Sequence, residues 1–513
     1  MSHPAPSEQP VNRVMITVSV MLATVMTALD ITIANVALPH MAGSVNASAD
    51  QITWVLTSYI VASAIMTPMS GWLAARLGRK QVFVLSIIGF TLASALCGAA
   101  QTLGEIVAFR VLQGLFGAAM GPLSQAVMLD TFPAEQRGPA MAIWGVGVMV
   151  APIVGPVLGG WLTDDFSWRW VFYINLPIGV LCLLGVVGFI HDTQTPRKIP
   201  FDIMGFSLLG IMLASLQLFL DRGQNNDWFN SVETQIEAAT AGLALFLFTI
   251  HSLTVDRPFL PMALFKDSNF VTSSVMSLVV GMLVFSVLAL LPPMAETLLG
   301  YPVVTTGLVM APRGLGGLIS MLLVGQLVNR FDNRVLIASG FALFAVSFFM
   351  MSHFSLQMSA SAIAWTGFIQ GLGTGLVFMP MTILAFATLS PSLRADAAGA
   401  YALVRNLGQS VGVSIMQALF VRNTDVVHAR LTENVRADNP LMRAPWLQAP
   451  FSLTNPLGLA ALEEEITRQA AMLAYVDVFR IMFVATALLI PMVMLLRKPT
   501  VGAAAAIEDL IAE

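Results

Sequence analysis

The sequence predicts an all-α membrane protein made of two six-helix halves with an inserted helix pair, fourteen transmembrane helices in all. Three observations carry this reading. Of the 513 residues, 57% are hydrophobic and 11% charged, and the mean hydropathy of +0.79 is well above that of soluble domains. The apolar residues gather in runs of about 20, the helix length that crosses a hydrocarbon layer of roughly 30 Å. Two short motifs recur in the second part of the chain at nearly the same offset. Transmembrane barrels read instead as short alternating strands, so helices are the spanning element.

The first span, 14–38, follows a polar leader, 1–13, without a small-residue cleavage site, and so reads as a retained helix with a cytosolic amino terminus. Spans at 52–74, 81–100, 105–129, 138–161 and 169–191 complete a first half, 14–191. A linker, 192–267, holds the inserted pair at 203–221 and 233–252. Spans at 269–295, 303–327, 334–353, 358–388, 397–420 and 474–496 form the second half, 268–496, before a cytosolic tail, 497–513. Within that half a long connection, 421–473, carries Pro440, Pro445, Pro450 and Pro456, which predict irregular chain, followed by a helical pattern over 459–476.

Counted with the termini, fourteen Lys and Arg fall on the side of the amino terminus, while the short loops opposite hold Arg169 and Arg222. This asymmetry predicts that both termini are cytosolic. The five arginines of 421–473 do not oppose it, because long loops cross largely regardless of charge. Cys97 and Cys182 lie in apolar spans and the six histidines are scattered singly, which predicts neither a disulfide nor a metal site. "GWLAARLGRK" (71–80) shares Gly, Leu and Arg with "GQLVNRFDNR" (325–334) at an offset of 254, and "QGL" recurs at 113–115 and 370–372, an offset of 257. The similar offsets imply that the two halves are repeats.

"GWLAARLGRK" resembles the loop signature of the major facilitator superfamily, "RVLQGLFGAAMGP" (110–122) its fourth-helix signature, and "APIVGPVLGG" (151–160) the fifth-helix signature of its antiporters. "LDITIANVALP" in span one, "WRWVFYINLPIG" (168–179) and "LDRGQNNDWF" (220–229) are similar to the fourteen-span drug/proton antiporters of the EmrB type. The resemblance implies the superfamily fold and a gating loop at Gly71, Arg76, Gly78, Arg79 and Lys80. It also implies an antiporter helix in which Gly155, Pro156, Gly159 and Gly160 help to seal the bundle against proton leak. On residue chemistry alone the glycines are close-packing sites, and Pro152 and Pro156 bend the helix. The loop signature usually has an acid where Ala75 stands, which removes the carboxylate that a charge relay there would use.

The same resemblance implies a proton-coupled antiporter that exports hydrophobic drugs and toxic compounds across a bacterial inner membrane, with the proton gradient in place of a cofactor. As partners it implies a periplasmic adaptor protein of the EmrA type and an outer-membrane duct of the TolC type. The connection 421–473 then reads as a contact for them or as a flexible link. Uptake or facilitated diffusion of a small nutrient is the competing reading on the same fold; the deep acid and the fifth-helix signature oppose it. No G-x-x-x-x-G-K-S/T, H-E-x-x-H or G-x-S-x-G motif is present, so neither ATP drive nor an intramembrane enzyme is expected.

Few charges lie deep in the spans. Glu237 sits about one turn inside its span and can reach the interface, which leaves Asp30, Arg110, Arg313 and Arg405, with Asp30 the one deep carboxylate. An ionised side chain at the bilayer centre costs roughly 2.5–3.5 kcal/mol on insertion scales, so it needs a cavity or a partner. Ala23, Thr27, Ala34 and Ala37 share its helical face, and small residues let helices approach, so Asp30 points into the bundle. At 1.5 Å per residue, Asp30 lies about 13 Å and Arg110 about 7 Å below the outer ends of their spans, within reach where the helices adjoin. Movement of either between two conformations would let the pair take up and lose a proton.

The repeat places Gly367 at the point equivalent to Arg110, so the arginine is not a repeated architectural residue. In the resembling family the matching acid and arginine are the coupling residues, which implies that role for Asp30 and Arg110; packing specificity and a structural ion pair are the plainer alternatives. Arg313 and Arg405 have no deep acid in their half, and both carbonyl partners and substrate contact remain open for them. With Glu296 and Asn35 they are candidates for a substrate cavity, Glu296 reading otherwise as interfacial. Three buried arginines against one carboxylate favour lipophilic substrates that carry negative charge. The thirty methionines suit an adaptable surface or plain packing, and none is assigned a role.

Overall fold

A computed structural model describes residues 12–132, 136–190, 201–223, 226–256, 258–328, 330–390, 393–433, 435, 436, 439, 451 and 455–497. The leader before residue 12, Pro440, Pro445 and Pro450, and the tail after 497 lie outside the described residues. The regular elements are helices: α1 (Arg13–Ser44), α2 (Ala49–Ile52), α3 (Trp54–Met66), α4 (Met69–Leu77), α5 (Arg79–Ala99) and α6 (Leu103–Gly117). They continue as α7 (Met120–Thr131), α8 (Arg137–Asp165), α9 (Trp170–Tyr173), α10 (Asn175–Phe189), α11 (Ile203–Gly223) and α12 (Val232–Thr254). The last are α13 (Ser268–Pro293), α14 (Val303–Leu327), α15 (Asn333–Met351), α16 (Ala360–Ala387), α17 (Arg394–Thr432) and α18 (Pro456–Met492). Among the described residues, 11 helices are long and apolar enough to cross a membrane, or 12 when the bent α3–α4 pair counts as one span. The chain is therefore an all-α, multi-pass membrane protein.

Three expected elements differ in detail. The span 52–74 is two helices that meet at 55°, because Pro68 at the break has no N–H to continue the hydrogen-bond ladder. The span 105–129 is interrupted between Gly117 and Met120. At the start of the connection 421–473, α17 runs on to Thr432, while α18 starts at Pro456, where a first-turn proline loses no hydrogen bond, in line with the helical pattern expected over 459–476. No Gly or Pro stands between 421 and 432 to stop α17, and His428 Nε2 lies 2.9 Å from Glu463 Oε1 across the two extensions.

Gly78 joins α4 to α5 at φ 96° and ψ 143°, a backbone region that side chains enter only under strain. Gly78→Ala is expected to cost about 1–3 kcal/mol, seen as a lower thermal unfolding midpoint in detergent; an unchanged midpoint would contradict this.

Buried side chains gather on either side of α11 and α12. Helices α1–α10 enclose Met26, Phe83, Ile87 and Phe90 towards one end and Ile33, Met41 and Phe172 towards the other. Helices α13–α18 enclose Phe270, Phe341, Phe344, Phe348 and Phe479. These two cores meet where α8 packs on α14 and where α17 packs on α3 and α4. The inserted pair is no appendage. Helix α11 is wedged against both α3 and α17, with Leu208, Leu209, Met212 and Leu213 clustered with Ile65, Leu403 and Leu407. Gln217 of α11 meets Ser410 of α17, and α12 packs on α11. Glu237, expected to reach the interface, is 9% exposed and sits 3.6 Å from Arg222, because the close α11–α12 hairpin covers it.

The base of this hairpin is tied by Asp202. Its carboxylate accepts from the backbone N–H of Gly205 and of Phe259, each at 2.9 Å, and lies 2.8 Å from His251 Nε2. Burial pushes the carboxyl up, but these hydrogen bonds outweigh burial and hold it below the usual carboxylate range. A carboxylate with a depressed folded pKa stabilises the fold above its unfolded pKa, and that stabilisation is lost as pH falls through the folded value. Asp202→Asn is therefore expected to lower the unfolding midpoint at neutral pH. The gap to wild type should close on acidification below the carboxylate range, and a gap that persists there would refute the assignment.

Candidate functional site

Helix α1 carries Thr24, Thr27 and Thr32, whose hydroxyls turn back onto the carbonyls of Val20, Ala23 and Ala28 and so need no outside partner. Asp30, as a carboxylate, needs donors, and those it has come from other helices. It emerges on a face where Ala23, Ala34 and Ala37 are fully buried and Thr27 half-buried, in line with the small-residue pattern. Helix α6 starts with a capping box of Thr102 and Glu105, which fixes its entry and sends Arg110 inward. Asp30 is 1% and Arg110 0% exposed, and the two form an ion pair in which Arg110 Nη1 donates to Asp30 Oδ2.

Neutral residues complete the cluster. Gln113, one turn on from Arg110, donates from Nε2 to Asp30 Oδ1 at 2.7 Å and accepts from Arg110 Nη1 at 2.8 Å. Asn175, the first residue of α10, donates from Nδ2 to Asp30 Oδ1 at 2.9 Å and to Ser94 Oγ at 3.0 Å. Arg110 Nε donates to the Val55 carbonyl at 2.9 Å. Its guanidinium carbon stands 4.3 Å from the Tyr59 ring centre, a contact worth about 2 kcal/mol when desolvated.

Every contact to Asp30 comes from a donor, so the cluster is complementary to the carboxylate. Proton uptake would place an O–H among those donors and remove the charge that holds Arg110. Arg110 would stay attached to α3 through Val55 and Tyr59, while its hold on α1 weakened. Helix α1 packs on α8 and α10, whereas α6 packs on α3 and α5. One proton would thus change how Arg110 of α6 is held against α1. Arg110 Nη2 and Asn175 Oδ1 have no hydrogen-bond partner among the described residues and could take up such a rearrangement.

A family model described as Major Facilitator Superfamily matches residues 20–413, a range that holds the whole cluster. The chain belongs to the Major Facilitator Superfamily. As a superfamily member it is a transporter and not an enzyme. It is 37% identical over 470 residues to the multidrug export protein EmrB of Escherichia coli, covering 91% of this chain and 92% of that protein. To the fatty acid resistance protein FarB of Neisseria gonorrhoeae it is 34% identical over 488 residues, covering 94% and 96%. The crystal structure of the nucleoside transporter NupG shares the fold at 11% identity, with a TM-score of 0.58 over 95% of this chain and 100% of that one.

The superfamily loop residues occupy separate positions around the α4–α5 turn. Gly71 is exposed on α4, and Arg76 stacks 5.1 Å above the Trp72 ring. Arg79 forms an ion pair with Asp130 of α7, and Lys80 Nζ donates to the Val187 carbonyl of α10 at 2.8 Å. On α8, a Cβ at Gly155 would strike Thr32 Oγ1, and one at Gly159 would sit 3.2 Å from the Ile33 carbonyl. Thr32 Oγ1 also donates to the Ala151 carbonyl at 3.2 Å, so the superfamily's fifth-helix motif lies against the Asp30 helix. Gly160 is half-buried, and the side chains of Pro152 and Pro156 lie outside the described residues.

The cavity candidates stand apart from the cluster. Arg313 on α14 donates from Nη2 to the Val284 carbonyl of α13 at 3.1 Å. Arg405 on α17 backs onto Gly281 of α13, with a buried Nε that has no partner among the described residues. Glu296 is half-buried on a π-helical turn, Met294–Leu298, directly after Pro292 and Pro293. Asn35 is exposed on α1, off the Asp30 face. Gln113, Asn175, Ser94 and Tyr59 escape a census of charges because they are neutral. Gln113 is legible three residues after Arg110 on one helical face, and Asn175 as the amide inside "WRWVFYINLPIG".

Proposed function

We propose that this chain is a proton-coupled antiporter that exports hydrophobic drugs and toxic compounds from the cytoplasm, acting as the inner-membrane member of a tripartite efflux system. The observation that carries this reading is the buried Asp30–Arg110–Gln113–Asn175 cluster, in a transporter alike to EmrB over 91% of its length. Asp30 and Arg110 are the coupling residues. Asp30 takes a proton from the periplasm, the halves rock, substrate leaves outward and the proton leaves inward.

The 12 apolar spans together with α8 and α17 make fourteen, arranged as a first half over 14–191, the inserted pair within 192–267 and a second half over 268–496. Both termini are cytoplasmic, a reading supported by the Lys and Arg asymmetry. Gly71, Arg76, Gly78, Arg79 and Lys80 serve the inner gate, while Gly155, Pro156, Gly159 and Gly160 keep the bundle closed to protons. Arg313, Arg405, Glu296 and Asn35 line the path of the substrate. An adaptor of the EmrA type and a duct of the TolC type are the partners that the EmrB likeness supports.

The test is transport by the purified protein in proteoliposomes. A pH gradient, acid on the periplasmic face, should drive a lipophilic dye towards that face without ATP, and nigericin should stop it. A requirement for ATP, or movement that never exceeds equilibration, would refute the reading.

A further inference from the structure

We infer that Asn175 is the amide switch of the proton site: it donates to the ionised Asp30 carboxylate and, with its carboxamide rotated, accepts from the protonated acid. This rests on the exporter reading and assigns the residue that receives the hydrogen bond of the arriving proton.

The surroundings of Asp30 create the need. Its Oδ2 faces Arg110 Nη1, while its Oδ1 faces Gln113 Nε2 at 2.7 Å and Asn175 Nδ2 at 2.9 Å. All three are N–H donors. Proton uptake turns the carboxylate into an acid with an O–H of its own, and a buried donor without an acceptor is costly. The titratable groups of the neighbouring helices do not supply one. Tyr59 of α3 turns its ring face to Arg110 and its hydroxyl towards Gly117, and the Cys97 thiol of α5 lies 3.7 Å from Gln113 Oε1. Cys182 of α10, Asp130 of α7 and Tyr173 of α9 meet instead the Ser19 carbonyl, Arg79 and the Trp170 ring. On α8 the charged residues, Arg137, Asp164 and Asp165, stand at its two ends.

This leaves the two carboxamide oxygens of the cluster. Gln113 Oε1 already accepts from Arg110 Nη1 at 2.8 Å, and rotating that amide would set its NH2 against the guanidinium. Asn175 is 1% exposed, and its Oδ1 has no hydrogen-bond partner among the described residues. A half-turn about its last torsion exchanges oxygen and nitrogen at nearly the same places. The oxygen then meets Asp30 and Ser94, where the nitrogen now stands 2.9 Å and 3.0 Å from them. The Ser94 hydroxyl, which donates to the Phe172 carbonyl at 2.9 Å, can turn and donate to that oxygen. In either orientation the amide keeps two contacts and leaves its far atom unpaired, so the protonation state of Asp30 decides between them. The hydrogen bond from α10 to α1 therefore survives proton uptake, and the loss falls on the Arg110 pair alone.

The test is infrared difference spectroscopy of the purified full chain between acid and alkaline buffer, with an isotope label at the asparagine side-chain carbonyl. A carboxylic acid band that is absent from Asp30→Asn reports protonation of Asp30. An asparagine carbonyl band that is absent from Asn175→Leu should then move to lower wavenumber, because its oxygen gains hydrogen bonds that it lacked. An amide that remained a donor would move up or stay, since its charged acceptor is neutralised. Asn175→Leu should raise the wavenumber of the acid band, the Asp30 O–H having lost its acceptor, while Gln113→Leu should leave the asparagine shift in place. Unaltered backbone amide bands report that the variants are folded. An upward or absent asparagine shift overturns the proposal, as does a downward shift that persists in Asn175→Leu or a wild type without the Asp30 band. The spectra require neither substrate nor gradient, so a chain that shows the shift yet fails to transport refutes the exporter reading and leaves the switch standing. A working exporter without the shift refutes the switch alone.

Discussion

Asp30→Asn is expected to reduce uphill, gradient-driven export to the level of empty liposomes while exchange of substrate for substrate continues. Asn matches Asp in size and keeps one carbonyl oxygen, which can replace Oδ1 in accepting from Gln113 and Asn175 while its NH2 takes the place of Oδ2 and gives up the Arg110 contact, so the helices still close around it. What it lacks is a group that can bind and release a proton. Without such a group the gradient has no purchase on the conformational equilibrium, because a ligand shifts two states only through different affinity for them. The measurement pairs uptake under a pH gradient with counterflow in its absence. Uphill transport by Asp30→Asn would remove Asp30 from the coupling role, and loss of counterflow as well would mean that the side chain also shapes the substrate path.

Arg110→Gln should have the largest effect on stability. Arg110 is fully buried, and its removal strips Asp30 of its countercharge and leaves the Val55 carbonyl without its Nε donor. Breaking a buried pair from one side costs about 3–5 kcal/mol, most of it the penalty of an uncompensated charge. The double variant Asp30→Asn with Arg110→Gln should recover much of that loss and still fail to export. Unfolding of wild type, both single variants and the double variant forms a cycle whose coupling should be strongly non-additive. Additive effects would mean that the two side chains do not stabilise one another.

The route to this site was legible where chemistry is rare. A carboxylate in an apolar helix stands out, and helical periodicity alone turns Asp30 away from lipid through Ala23, Ala34 and Ala37. Depth along two helices brings Arg110 within side-chain reach of it. Neither argument reaches Asn175, because its approach depends on how α10 packs on α1, and its neutral amide gives no signal of cost. The same limit hides Asp130, the partner of Arg79, which sits 51 positions further along the chain. The bend at Pro68 and the continuation of α17 to Thr432 were missed for another reason. Hydropathy registers what can enter a bilayer, not where a backbone ladder breaks or how far a helix continues into water. The wedge position of α11 is a tertiary fact with no local mark, since its Leu and Met would read the same against lipid.

That wedge bears on how the molecule can move. Helix α11 is pinned near its two ends to the first core, by Arg222 at 5.4 Å from the Trp54 ring and by Phe201 at 4.5 Å from the Trp72 ring. Along its middle it meets α17 through apolar side chains and a polar contact of Gln217 with Ser410. Apolar contacts have no preferred direction, so α17 can glide along α11 at small cost while α11 stays with its anchors. The inserted helix then works as a bearing fixed to one side of the machine, and the Gln217–Ser410 contact is the detent that must slip each time the other side turns.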